Sequence, residues 1–350
     1  MSEKPVNEKK ERMIFDVAYQ PQERAHLGTS NTMLNVMIAL LPAVAVSVWQ
    51  FGLKSLLLIA VSMGSAVFFE WGYRRLTKKH NTIGDLSAAL TGLLLALTLP
   101  ATAPWWLPVI GTFFAIVIVK QLYGGLGRNF MNPALAARAF LIASYSMYMT
   151  RWGVPSSLAG QVDAVTMATP MTYLYNGETI PAYLNFRNMF LGMTPGCIGE
   201  ISKVALLIGA AYLLIRRVIN WRIPFTFIGT VCLLNLIFGH EGYTNVDWML
   251  YNLLSGSLII GAFFMATDYV TTPVTPLGHL LFGFGCGCFT VLIRYFGSYP
   301  EGVSYSILIM NLCTWSIDKL FRRYQFGVSR ADKLMAKATK LAEKEARSRG

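Results

Sequence analysis

The chain has 350 residues and a formal net charge of +12, yet 54% of it is hydrophobic, only 14% is charged and the mean hydropathy is +0.46. A soluble surface carries more charge than this, which excludes an ordinary cytosolic enzyme of one or two domains. Several continuous apolar runs approach the roughly 20 residues that cross a hydrocarbon core, so the chain reads as an all-α polytopic membrane protein. A closed barrel is excluded because the runs do not alternate with period two.

In chain order, residues 1–31 mix both charges without an apolar signal core and read as a cytoplasmic N-terminal segment. The first membrane half, 32–149, holds five expected spans near 32–49, 53–71, 86–100, 105–119 and 132–149. A hydrophilic insertion follows over 150–199. The second half, 200–320, holds spans near 201–215, 224–238, 248–267, 277–295 and 303–320, and a basic tail occupies 321–350. About ten transmembrane helices are therefore expected. The third span is short and runs into Leu99-Pro100-Ala101-Thr102-Ala103-Pro104, and the eighth ends in Thr267-Asp268-Tyr269-Val270-Thr271-Thr272-Pro273. Five spans in each half, with the third and eighth broken, predict an inverted repeat with unwound backbone facing a protein interior. The alternative is that Pro-rich tight loops merely join neighbouring helices.

Lysine and arginine set the orientation. With the N-terminus inside, 24 of the 30 fall in inner segments, so both termini are expected in the cytoplasm of a bacterial inner membrane. The insertion 150–199 then lies outside. Acidic residues and helix formers interleave in the tail, which favours a solvated helix near lipid headgroups or a partner protein of the same membrane and speaks against nucleic acid.

Chemistry-bearing residues are few. Asp163-Ala164-Val165-Thr166-Met167-Ala168-Thr169-Pro170 stands in the outer insertion, where acid and hydroxyl side chains beside a proline also make ordinary turns. On the inner side, Asn132 before Pro133 suits a helix cap, and Asn129 lies three residues earlier. Both amides can turn toward one polar heterocycle. Glu70, Arg138, Glu200 and Asp268 are charges at or near membrane depth and are either functional or helix-end anchors; Asp268, beside a broken span, is the candidate for ion coupling. The five cysteines are scattered and read as packing thiols, and the four histidines are too dispersed for a metal site.

The octapeptide 163–170 resembles the D-x-x-(S/T)-G-A-T flavinylation motif of membrane proteins that carry FMN as a phosphoester on the final threonine, here Thr169. Asp163, Thr166 and Ala168 match it, whereas Met167 replaces the motif glycine and its conformational freedom. The segments GLLLALTLPATAPWW at 92–106, KQLYGGLGRNFMNPALAARAF at 120–140, RRVINWRIP at 216–224, GAFFMATDYVTTPVTP at 261–276 and YPEGVSYSILIMN at 299–311 agree with the same family. That family contains the D subunit of the Rnf electron-transport complex and the B subunit of the sodium-pumping NADH:quinone reductase. The resemblance implies covalent FMN on Thr169, attached by an extracytoplasmic FMN transferase to an exposed loop. It also implies a non-covalent riboflavin at Asn129 and Asn132, partner Rnf subunits with flavin and iron-sulfur centres, and coupling of ferredoxin and NAD oxidoreduction to Na⁺ or H⁺ movement. With no nicotinamide or ferredoxin site of its own, the chain is expected to be a component of an enzyme. A small-solute channel of urea- or ammonium-channel architecture and a non-redox scaffold are the competing readings; neither needs a flavinylation motif or an asparagine pair.

Overall fold

The structure is a computed structural model that describes residues 28–80, 82–158, 167–176, 180–181, 184–240, 242–297, 301–321 and 335. Its first half contains α1 (Thr29–Phe51), α2 (Leu53–Leu76), α3 (Ser87–Leu97), α4 (Trp106–Phe113), which continues as a π-helix over Phe114–Gln121, and α5 (Pro133–Ser144) with the short α6 (Ser146–Met149). The 150–199 insertion contributes α7 (Pro170–Asn176) and α8 (Phe186–Leu191). The second half contains α9 (Lys203–Ile215), α10 (Arg222–Phe238), α11 (Asn245–Leu254), α12 (Leu258–Ile260) leading into a π-turn over Gly261–Met265, α13 (Pro276–Phe296) and α14 (Val303–Phe321). Each expected span falls on one of these helices. Among the described residues, α1, α2 and α13 are each long and apolar enough to cross a membrane, and α11 with the segment after it reaches that length as a pair bent by 65°. α3, α5, α9, α10 and the α4 segment are apolar but shorter, so the count of ten rests on sequence pattern and not on helix length.

Apolar faces point outward as well as inward. Leu57, Phe68, Ile208, Phe225, Leu233, Phe284 and Leu312 are exposed on long helices, the mark of a surface solvated by lipid tails. Without a hydrophobic drive between helices in lipid, close contact depends on small residues. A Cβ on Gly209 of α9 would stand 2.0 Å from the Ala39 carbonyl of α1, and one on Gly92 of α3 2.6 Å from the Ser62 carbonyl of α2. In the second half, Gly287 brings α13 onto Thr230 of α10. The packing runs in parallel in the two halves: α2 meets α4 as α10 meets α13, α1 faces α9 and α5 faces α14.

The helix ends are specified locally. Asn132, Ser202, Thr244 and Thr275 each accept a backbone N–H from the first turn of α5, α9, α11 and α13, with Pro133 and Pro276 at first helical positions. Two features escaped the sequence pattern. The eighth span breaks inside its apolar run, by 65° between Leu254 and Leu258, as well as at Thr267. Both halves also carry a π-helical stretch, the wider turn that leaves backbone groups free and recurs at functional sites.

Candidate functional site

Two polar regions lie at opposite ends of the helix assembly. His279 near the start of α13 and Arg294 near its end border different cavities, and fifteen residues at about 1.5 Å each separate them by about 22 Å.

The first region is a cleft of about 70 Å³ between the starts of α1, α3 and α5 and the end of the π-turn, lined by Lys120, Asn129, Asn132 and Asp268 among others. Asn132 is fully engaged there. Its Oδ1 accepts from the Ala134 and Leu135 N–H groups at 3.0 and 3.4 Å, and its Nδ2 donates to the Met265 carbonyl at 3.2 Å. One amide thus caps α5 and ties it to the carbonyl that the π-turn frees. Asn129 is also buried, but its Oδ1 has no partner. The structure therefore brings both asparagines to one cleft and leaves one of them with an unused acceptor. The half-buried Asp268 accepts from the Thr271 hydroxyl at 3.2 Å and makes no ion pair among the described residues. The cleft itself has room for a few waters. It adjoins a wider, more open cavity of about 630 Å³ that shares Ile219, Thr267 and Tyr269 with it and is bordered by Arg217, Trp221, Arg222 and His279.

Sequence reasoning counted Lys120 among the inner-segment charges and read Glu70 as either functional or a helix-end anchor. Both are buried instead, at 1% and 0% exposure, and pair at 2.8 Å; Lys120 also donates to the Ser87 hydroxyl at 2.6 Å, and Thr82 to Glu70 at 2.7 Å. The π-helix carries Lys120 inward, a displacement that periodicity alone does not announce.

The second region gathers the ends of α1, α3 and α13, the start of α11 and the insertion. Pro100 and Cys197 form an antiparallel bridge, and the Ile198 and Gly199 N–H groups donate to the Leu99 and Leu97 carbonyls at 2.9 and 2.7 Å, satisfying the broken end of α3. The other break is served by cations. Arg294 donates to the Asn252 carbonyl at 2.7 Å and to that of Ser255 at 3.4 Å, and Lys203 donates to the carbonyls of Gly256, at 3.1 Å, and Glu200. Carbonyls stripped of helical partners within an apolar core require such donors. Arg138, 2% exposed, pairs with Glu301 and lies 3.6 Å from the Cys197 sulfur, so it is no interface anchor. Glu200 caps the 197–200 turn by accepting the Cys197 N–H at 2.8 Å, and its Oε2 has no partner. Cys197, Glu200 and Glu301 come within 4.8 Å of one another, although the sequence had given no such cluster. Arg138, Lys203 and Arg294 surround them, and that positive field opposes a metal ion there.

Thr169 belongs to this end. It is 5% exposed rather than displayed on an open loop, because it heads α7, whose Met171 and Leu174 pack in one apolar cluster with Trp248 of α11. The Thr169 Oγ1 shares a 3.0 Å hydrogen bond with the Thr172 hydroxyl and accepts the Thr172 N–H at 3.3 Å. Met167 is buried and donates its N–H to the Trp152 carbonyl at 3.1 Å. Ala168 is half-buried between them, and Asp163 and Thr166 lie outside the described residues. Beside α7 opens a cavity of about 190 Å³ with a buried floor of Met171, Leu174, Trp248 and Arg294 and an exposed rim at Tyr175 and His240.

The comparisons with known proteins agree with one another. A family model described as "NQR2, RnfD, RnfE family" matches residues 16–327. The D subunit of the Na⁺-translocating ferredoxin:NAD⁺ oxidoreductase complex of Acetobacterium woodii is 46% identical over 321 residues, covering 91% of this chain and 96% of the relative. The D subunit of the proton-translocating ferredoxin:NAD⁺ oxidoreductase complex of Clostridium ljungdahlii is 42% identical over 324 residues, covering 91% and 97%. The D subunit of an ion-translocating oxidoreductase complex of Shewanella amazonensis is 38% identical over 345 residues, covering 90% and 99%. A family match over most of the chain, joined to an all-helical membrane fold with broken spans, makes this chain a member of the NQR2, RnfD, RnfE family.

Proposed function

We propose that the chain is the flavin-bearing membrane component of an Rnf-type complex and carries FMN as a phosphoester on Thr169. In such a complex it passes electrons between redox centres of its partners while ferredoxin and NAD oxidoreduction drives Na⁺ or H⁺ across a bacterial inner membrane. The names of the Acetobacterium and Clostridium relatives support this reading of the complex. The observation that carries the flavin is the place of Thr169: the last residue of the 163–169 motif heads α7, at the end of the assembly where three buried cations face two carboxylates. A bound flavin supplies electron-transfer chemistry; the chain supplies attachment, position and electrostatics. Attachment on the outer face by an FMN transferase requires Thr169 to be uncovered, since it is 5% exposed in this fold. Peptide mass spectrometry tests the reading. The fragment containing Thr169 gains the mass of FMN less water, and Thr169→Ala removes that species.

The first region supports the remaining roles. Asn129 offers an unused acceptor to the imide N–H of a non-covalent riboflavin, and the adjoining 630 Å³ cavity supplies the room that the narrow cleft lacks. Asp268 gives the same cleft an uncompensated carboxylate, suited to Na⁺ or H⁺. Asp268→Asn in the complex raises the Na⁺ concentration for half-maximal turnover if the ion is sodium, or removes proton uptake if it is a proton. Turnover unchanged under both conditions contradicts the assignment. Labelling of single introduced cysteines tests the orientation: positions near 160 react from outside, and positions near 76 do not.

A further inference from the structure

We infer that the cavity beside α7 is the seat of the flavin ring, with Arg294 facing the ring's polar edge; this rests on the reading of Thr169 as the attachment site. The position comes first. Met171 and Leu174, on the first and second turns of the helix that Thr169 heads, form part of the cavity floor. A group tethered at Thr169 starts from the head of the helix whose first two turns floor this opening.

The walls suit a planar aromatic. Trp248 stands 6.0 Å from Tyr295 and 4.5 Å from His240, centroid to centroid. The polar atoms of two of these rings are already spent, since Trp248 Nε1 donates to the Tyr295 hydroxyl at 2.6 Å and that hydroxyl donates to the Gly239 carbonyl at 3.0 Å. What remains for a ligand is ring surface, which favours offset or edge contacts with another aromatic.

Arg294 supplies the polar element. It is 5% exposed and holds the Asn252 and Ser255 carbonyls with its terminal nitrogens, while its Nε has no partner. A guanidinium stays charged at any physiological pH, so a buried one with an unused donor favours a neighbour that carries or acquires negative charge. A flavin's pyrimidine edge offers carbonyl acceptors and becomes more negative when the ring is reduced. An acyl chain would gain nothing from such a group. Arg294 therefore tilts a seated flavin toward its reduced form.

The test uses the purified full-length chain. A seated ring beside Trp248 and Tyr295 emits weakly in the native protein and is shielded from iodide, although the denatured band is bright. Leu174→Trp fills the floor; native emission then rises severalfold and iodide quenches it, with the denatured band unchanged. Trp248→Leu removes a quenching wall without closing the cavity and also raises native emission, which keeps the test decisive if the bulkier variant misfolds. In a dithionite titration Arg294→Gln loses at least tenfold of the preference for the reduced ring, about 30 mV for a two-electron couple, and Arg294→Lys recovers part of it. A covalent band with native emission and iodide access equal in wild type and both floor variants overturns the seat. A missing covalent band in wild type overturns the Thr169 reading itself and the seat with it.

Discussion

The two ends of the assembly solve the same problem with different groups. Around the cleft of Asn129 and Asn132, Glu70 pairs with the buried Lys120 and, at 3.9 Å, with the more exposed Arg74, while Asp268 makes no ion pair among the described residues. At the Thr169 end, three buried cations, Arg138, Lys203 and Arg294, answer to two carboxylates, Glu200 and Glu301. Each end satisfies a broken or widened helix, the first with an amide on the Met265 carbonyl and the second with cations on the carbonyls of Asn252, Ser255 and Gly256. The lesson is that unwound backbone in a membrane need not fix the sign of its surroundings. The end whose cleft holds a carboxylate without an ion pair suits a mobile cation, and the end with surplus positive charge suits a phosphate-linked, reducible ring.

Removing charge from either end sharpens the contrast. Lys120→Met removes the buried ammonium that Glu70, 0% exposed, holds at 2.8 Å and leaves it the Thr82 hydroxyl and the more exposed Arg74, 3.9 Å away. A buried pair broken in this way costs about 3 to 5 kcal/mol, read as a fall in thermal unfolding temperature in detergent. Glu70→Met in the same chain restores most of it. Arg138→Met costs less, about 1 to 3 kcal/mol, because Glu301 keeps other cations nearby: a Cβ on Gly256 would lie 3.6 Å from the Arg294 guanidinium and 3.8 Å from Glu301. Equal losses at the two ends break the comparison. The smallest effects separate the asparagines. Asn132→Leu removes a cap and costs about 1 kcal/mol, whereas Asn129→Leu, which discards an unpaired acceptor, leaves stability unchanged but lowers acid-extractable flavin.

Apolar runs made the helices legible, because a lipid-facing span needs a continuous hydrophobic stretch and little else. The cap at Asn132 before Pro133 was equally plain, and Thr275 before Pro276 repeats its pattern in the structure. The break at Ser255-Gly256-Ser257 was not, since three small residues within an apolar run look like helix packing until the Lys203 and Arg294 contacts show the freed carbonyls. The charge clusters were hidden for another reason. Arg138, the 197–203 segment, Arg294 and Glu301 come from separate stretches of chain, and pairings at that separation leave no local pattern. Met167 stood out in the sequence as a missing glycine, whereas its burial and its bond to the Trp152 carbonyl join separate stretches of chain and leave no local pattern.

The central claim is that Thr169 bears a covalent flavin. In-gel flavin fluorescence of the denatured full-length chain tests it most directly, with Thr169→Ala set beside Thr172→Ala, which removes the neighbouring hydroxyl that Thr169 bonds. The account predicts a fluorescent band in wild type and in Thr172→Ala and none in Thr169→Ala. A band that persists without Thr169, or a dark wild-type chain, contradicts it.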